Sequence, residues 1–397
     1  MKEKIIGYGN KSQKSSWHAI LTLSISAIIF VTAELLPIGV LQEIGQTYGK
    51  SIGEIGLIVT GYAWVVAFSA ISATSCFLKF ERRKLIVFIL MVFGISNIIV
   101  SQSSNIIILY IGRILGAFSH GIFWSIVGPL AVSLVSDKEK AKATSLVFGG
   151  IAIASVAVVP LATFISQNIS WELSFLFIGL TGIALSLITL ITMPKIIPFD
   201  LKKDISLKKV ITRPYLRRTY PVTALAICGN YCAFTYIGLL IEKQAGFSHD
   251  KLPVLLLLFG ISGVVGNFIS GLIKDKYLVV ATRWILLLMI LAVTGFSVLP
   301  NIRSVGVIYL MIIAWGAGIC AITVTLQSIV LNLSADSGER ASSVHVAMFN
   351  IGIGSGAFLG GVIINEFNIA IVALSASIFM GGALVLLLPK ITLNIYE

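Results

Sequence analysis

The chain has 397 residues, of which 57% are apolar and only 12% charged, with a mean hydropathy of +0.99 and a formal net charge of +12. That is too hydrophobic for a soluble globular domain, so the bilayer is the expected solvent. The positive balance is assigned to loops rather than to a nucleic-acid surface, because no separate soluble domain is left to carry one.

About 20 apolar residues cross the hydrocarbon core, and runs of that length predict an all-α membrane protein. Twelve spans are expected, at 17–41, 52–78, 85–101, 105–135, 141–164, 171–194, 220–242, 252–273, 281–300, 304–331, 341–365 and 368–389. The first run, "WHAILTLSISAIIFVTAELLPIGVL", is too long for a signal-peptide core and lacks a small-residue cleavage site, so it is expected to be retained. Basic residues alternate with the spans. Lys2, Lys4, Lys11 and Lys14 precede the first, Lys79, Arg82, Arg83 and Lys84 precede the third, and Lys138, Lys140 and Lys142 precede the fifth. Lys274, Lys276, Arg283, Arg340 and Lys390 keep the same rhythm, whereas the other side holds only Lys50, Lys243, Lys251 and Arg303. Since Lys and Arg gather in cytoplasmic loops, both termini are expected in the cytoplasm.

The only long polar stretch, "KIIPFDLKKDISLKKVITRPYLRRT" at 195–219, divides the chain into two blocks of six spans, 1–194 and 220–397, joined by a cytoplasmic linker. The blocks echo each other: the fifth span carries "FGGIAIASVAVVPLATF" and the eleventh "FNIGIGSGAFLGGVI". Two pseudo-symmetric six-helix bundles are implied, with a substrate site at their interface near the membrane midplane. Gly352, Gly356 and Gly360 suit close helix packing that also lets helices slide.

Two charges stand deep in spans, Glu34 and Arg113. Each costs about 2.5–3.5 kcal/mol even on insertion-based scales, so each is a functional candidate. Glu34 lies about 12 Å before the end of the first span and Arg113 about 12 Å past the start of the fourth, depths at which an ion pair would relieve both. Arg113, Ala117, His120 and Trp124 recur at helical spacing and share one face. A free imidazole titrates near neutral pH, so His120 with Glu34 and Arg113 forms a candidate proton relay; an ion pair and a core histidine that only fix helix positions fit the same residues.

Trp17, Trp171 and Trp284 fall at span ends, as interfacial anchors do, while Trp64, Trp124 and Trp315 fall mid-span. The seventh span adds "NYCAFTYIG", with Asn230, Tyr231 and Tyr236; later spans add Gln327, His345 and Asn350. Uncharged hydrogen-bonding groups among aromatic rings suit a cavity for a neutral polyhydroxylated small molecule, with Trp64, Trp124, Asn230, Tyr231, Tyr236, Gln327 and Asn350 as candidate contacts. The same groups also serve as interhelical hydrogen bonds. The four cysteines and four histidines show no metal-ligand or disulfide spacing and no nucleophile–base constellation, so neither metal, cofactor nor enzymatic activity is expected.

The stretches "TAELLPIGVL" (32–41), "GYAWVVA" (61–67), "ERRKLI" (81–86), "GRILGAFSHGIFWSI" (112–126), "AGFS" (245–248) and "FNIGIGSGA" (349–357) resemble the major facilitator superfamily, in its drug/proton antiporter branch, and within it the bacterial sugar efflux transporters that export arabinose, lactose and isopropyl-thiogalactoside-like sugars. The resemblance implies the major facilitator fold, a multi-pass monomer in the bacterial inner membrane, alternating access and proton-driven efflux. It matches Glu34 and Arg113 to the family's first-span acid and fourth-span arginine, and Arg82, Arg83 and Lys84 to the basic part of its gating loop. Three departures accompany it. The gating loop reads "CFLKFERRK"; Val158, Val159, Ala162 and Thr163 surround Pro160 where the family's fifth-span motif has glycines; Glu172 and Gly238 replace a basic and an acidic residue. An exporter of drugs, nucleosides or other amphipathic solutes is the alternative within this class.

Overall fold

A computed structural model describes residues 5–6, 16–77, 80–196, 207–298, 304–334 and 338–388. Lys2, Lys4, Lys11, Lys14, Lys79, Arg303 and Lys390, together with the linker residues 197–206, lie outside the described residues.

Helices dominate, as unbroken apolar runs require in a medium where every backbone polar group must find its partner within the chain. They are α1 Trp17–Gly39, α2 Leu41–Tyr48, α3 Ile52–Cys76, α4 Arg82–Ser101, α5 Ile106–Ser133, α6 Lys140–Ile153, α7 Val159–Asn168 and α8 Trp171–Thr192. After the linker come α9 Leu207–Ile211, α10 Pro214–Phe234, α11 Ile237–Leu239, α12 Leu252–Gly271, α13 Leu278–Val298, α14 Val305–Asn332, α15 Gly338–Glu366 and α16 Ile369–Leu387. Two short strands, β1 Ile5–Ile6 and β2 Lys195–Ile196, pair in parallel. Among the described residues, 11 helices are long and apolar enough to cross a bilayer, and α10 with 237–244, bent by 54°, supplies a twelfth span. The all-α, multi-span architecture read from hydropathy is thus observed.

Two spans are locally irregular. In the fifth, a π-helical stretch Ala154–Val158 links α6 to α7, with Pro160 next to the break. Proline offers no N–H and crowds the preceding turn, so a widened turn is a natural accommodation. In the seventh, the bend at Thr235–Tyr236 is followed by a second π-helical stretch, Leu240–Gln244.

The chain forms two compact units, Met1–Leu36 with Phe68–Lys203, and Pro37–Ala67 with Asp204–Glu397. One cut falls within the expected linker at 195–219; the division departs from two sequential blocks in that residues 37–67 cluster with the second unit. Pro37, inside α1, stands where the chain passes from one to the other. In the first unit α4 and α8 approach closely at Gly94, Gly179 and Gly182, and a Cβ on Gly94 would sit 2.8 Å from the Gly179 carbonyl oxygen. In the second, Gly352, Gly356 and Gly360 of α15 lie against the backbone of Ala224, Cys228 and Cys232 on α10. The packing expected of these glycines is what the structure shows; dispersion across backbones in contact is what small residues contribute inside a membrane.

Candidate functional site

In the first unit, most hydroxyls along α1 bond within their own helix, Thr22 donating to His18 O, Ser26 to Thr22 O and Thr32 to Ile28 O, while Ser24 donates to Leu146 O of α6 at 2.7 Å and Thr22 also meets Thr192 of α8. Glu34, further along the same helix, carries the carboxylate of α1, and it faces α5. The facing helix, α5, is started by Asn105, whose side chain accepts from the amides of Ile107 and Ile108. That cap sets the rotation from which Arg113, His120 and Trp124 project.

Arg113 is 3% exposed, and its Nη1 donates to the backbone carbonyl of Ala33 at 2.7 Å. Its guanidinium also lies over the Phe175 ring, 5.8 Å from the centroid. The ion pair expected between Glu34 and Arg113 takes a different form here: the arginine ties itself to the peptide bond just before the glutamate and stays within electrostatic reach of the carboxylate. The partner seen at the carboxylate is His120, whose Nε2 stands 3.8 Å from Glu34 Oε2. At that separation the two groups feel each other's charge but do not share a direct hydrogen bond. Phe30 packs on Phe93 and Phe123 with centroids 4.0 and 4.5 Å apart, and meets the His120 ring edge-on at 5.3 Å. Trp124 closes the other side, 6.2 Å from His120 and 5.6 Å from Phe148. A carboxyl and an imidazole, both proton carriers, are thus held side by side in an aromatic setting beside a fixed cation. The arrangement can take up, hold and release a proton, and a proton on either group changes its attraction to the other and to Arg113.

Of the candidate gating residues, Arg82 Nη1 donates to Phe77 O at 3.4 Å, Arg83 Nε lies 3.9 Å from Glu81 Oε1, and Lys84 is exposed. The Arg82 bond and the Arg83–Glu81 charge contact link the start of α4 to the chain that precedes it.

The remaining candidate substrate contacts lie in the second unit. Trp64 is 45% exposed, with one edge against Gly354 and its ring 6.2 Å from Phe358. Asn230 Oδ1 accepts from Trp315 Nε1 at 2.8 Å in a cluster of Phe234, Phe259 and Phe296. Tyr231 is buried against Phe234. Tyr236 donates to Ala357 O at 2.7 Å, its ring wedged against Gly56, Gly360 and Gly361. Gln327 Nε2 donates to Ser342 Oγ at 2.8 Å, and Asn350 Nδ2 to Val346 O at 3.0 Å. Asn230, Tyr236 and Gln327 are engaged in interhelical bonds, and Asn350 bonds within its own helix.

A group absent from the sequence reading emerges in the segments after the first and seventh spans, where His249 meets Glu43 and Glu242. Their separation by about 200 residues left only scattered polar loop residues as a signal.

Comparison with known proteins places the fold. The family description "Major Facilitator Superfamily" matches residues 23–340. The fold is similar to a bacterial homologue of the human lysosomal transporter Spinster in its inward-facing, unoccupied form, with 15% identity, a TM-score of 0.73 and 97% of each chain covered. It is similar also to the nucleoside transporter NupG, at 11% identity and TM-score 0.74, covering 96% of this chain and 100% of that one. The human organic anion transporter TETRAN aligns at 15% identity and TM-score 0.66, over 94% of this chain and 98% of that one.

Proposed function

Because this chain belongs to the Major Facilitator Superfamily, and so is a multi-pass membrane transporter rather than an enzyme, we propose that it exports small neutral sugars, such as arabinose or lactose-like glycosides, in exchange for protons by alternating access. The observation that carries the reading is the half-buried Glu34 carboxyl beside the buried His120 and Arg113.

Glu34 takes a proton from the outer face, with His120 as its relay. Protonation weakens the carboxylate's attraction to Arg113 and biases the protein toward the inward-open state, since a ligand shifts an equilibrium by its differential affinity for the two states. Proton loss to the cytoplasm and sugar binding are then alternatives, and the sugar leaves as the cycle closes. Trp64 and Trp124 offer ring faces for the apolar side of a sugar, and Asn230, Tyr231, Tyr236, Gln327 and Asn350 offer hydrogen-bonding groups. Arg82, Arg83 and Lys84 act at the cytoplasmic gate. The cell membrane of a bacterium and a monomeric working unit complete the reading.

A second reading, export of amphipathic solutes, draws on the broad aromatic surface of Trp64 and on the organic anion and nucleoside transporters of like fold. Oriented proteoliposomes distinguish the two. Labelled arabinose and lactose are followed with and without a pH gradient, in parent and Glu34→Gln protein. Sugar accumulation driven by the gradient supports the first reading. Absence of sugar flux in protein that still binds a hydrophobic dye favours the second.

A further inference from the structure

His249 occupies the turn His249–Lys251, ahead of α12. Its Nε2 lies 3.0 Å from Glu43 Oε1 and its Nδ1 contacts Glu242 Oε1. Glu43 belongs to α2, in the segment after the first span; Glu242 belongs to the π-helical stretch that ends the seventh. The neighbouring residue of α2, Gln42, adds a second tie, donating from Nε2 to Glu242 Oε2 at 3.0 Å. Two stretches of chain about 200 residues apart, α2 on one side and the end of the seventh span with the turn that follows it on the other, are thus held together through one imidazole ring. All of these residues belong to the second unit.

Ring chemistry makes the tie conditional. A neutral imidazole has one N–H, so one of its nitrogens would turn a lone pair toward a carboxylate oxygen, whereas the imidazolium donates from both nitrogens and neutralises one of the two negative charges. Without that proton Glu43 and Glu242 face each other across an uncharged ring and repel. Other charges nearby are already occupied or turned away. Asp250 and Lys251, on the same turn, pair with each other at 3.2 Å; Lys50 and Glu54, at the start of α3, pair at 3.1 Å; Lys243 is exposed beside Glu242. Behind the ring, a cavity of about 10 Å³, the room of a single water, lies among Gln42, Thr235, Tyr236, Gly238, His249 and Leu252.

We propose that His249, clamped between Glu43 and Glu242, is a proton-operated latch: protonated, it holds the segments after the first and seventh spans together, and deprotonated, it releases them. The charge pattern puts both segments on the face opposite the basic loops, so the latch senses the external medium. It rests on the alternating-access reading in one respect, that release serves opening toward that face. The sign follows from linkage. The closed latch binds the ring proton more tightly than the open one, so closure is favoured at acid pH and lost as pH rises past neutrality. External acid then favours the outer-closed state, the same direction in which protonation of Glu34 drives the cycle.

The test reads distance, so it remains decisive even if no sugar is carried. Full-length protein with its native cysteines replaced is spin-labelled at Gln46→Cys and Lys243→Cys, both exposed positions, and placed in nanodiscs for pulsed electron resonance between about pH 5 and about pH 9. The parent is expected to give a short, narrow distribution at the acid end that lengthens and broadens toward the basic end. His249→Arg, a permanent cation with several donors, is expected to stay short throughout, and His249→Gln to stay long throughout. Should His249→Gln fail to fold, Glu43→Gln serves instead, with the basic-end distribution expected at every pH. A parent distribution that does not change with pH overturns the proposal, as does a His249→Gln or Glu43→Gln protein that titrates like the parent.

Discussion

His120 and His249 both face carboxylates, and their settings differ. His120 is 3% exposed, lies within a span, and stands 3.8 Å from one oxygen of Glu34 among phenylalanine and tryptophan rings. His249 is 33% exposed, lies in a turn, and has a carboxylate at each ring nitrogen. Charge separated inside a bilayer is costly and unscreened, so a proton arriving at the inner group changes the energy of the packed unit around it. At the turn, water and salt dilute the same event, and its effect is confined to the segments the ring holds. In the proposed mechanism the first pairing serves coupling and the second gating, although the chemical groups are the same.

The sharpest way to break this contrast is Glu34→Gln, which keeps the volume and one polar face while removing the titrating group. At one proton per sugar, a pH difference of one unit is worth about 1.4 kcal/mol and sustains about a tenfold sugar gradient. Glu34→Gln is expected to bring accumulation down to equilibration while sugar counterflow continues. A mutant that accumulates sugar as well as the parent would show that the coupling proton travels elsewhere. Arg113→Met comes next. It removes the 2.7 Å bond to Ala33 O and the fixed cation beside Glu34, at a cost of about 1.5–3 kcal/mol, read by thermal unfolding in detergent. Arg113→Lys keeps the charge but loses the fork, and is expected to fall between parent and Met. His120→Gln follows, with exchange slowed by roughly tenfold and a flatter pH profile, because proton transfer loses its relay while the carboxyl remains. An unchanged pH profile in His120→Gln would reduce the histidine to a packing residue.

How much of this was legible beforehand differs from residue to residue. The spans were readable because hydrophobic length is a local property, and each run from Trp17 to Leu387 carries its own evidence. Glu34, Arg113 and His120 stood out because a charge or imidazole in an apolar run is expensive wherever its partner lies. The choice of partner was not readable: whether Arg113 meets the Glu34 carboxylate or the Ala33 carbonyl depends on how far α1 and α5 are rotated, and residue spacing along one helix does not contain that angle. The bond between Asn230 and Trp315 was hidden for the same reason, since each residue alone looked like cavity lining. The His249 cluster was invisible because its groups come from α2, the end of the seventh span and a turn, and nothing along any one of these segments records which other it meets. The union of 37–67 with the second unit is a matter of close fit, of Gly56 against Tyr236 and Gly354 against Trp64, that polarity patterns do not record.

The smallest expected effects extend the contrast to a third acid, Glu54, at the exposed start of α3. Lys50 Nζ lies 3.1 Å from Glu54 Oε1 with both side chains more than two-fifths exposed, at 42% and 44%, the kind of ion pair that solvent screens to near nothing. The same glutamate does something else: its Oε2 accepts from the Ser51 amide at 2.8 Å, while Ser51 Oγ accepts from the Glu54 amide at 3.1 Å. That reciprocal pair is a capping box, legible in "SIGE", and it satisfies amides that the first turn of a helix leaves without partners. Ser51→Ala is accordingly expected to cost about 0.5–2 kcal/mol in unfolding measurements, whereas Lys50→Ala and Glu54→Gln, which keeps a cap acceptor, leave the melting temperature where it was. If Lys50→Ala proved the more damaging, charge pairing would govern even the wet end of the molecule, and the separation drawn between buried and exposed acids would fail. With Ser51→Ala the more damaging, the three glutamates are ordered by what surrounds them: Glu34 by its proton, Glu43 by the ring it holds, and Glu54 by the backbone it caps.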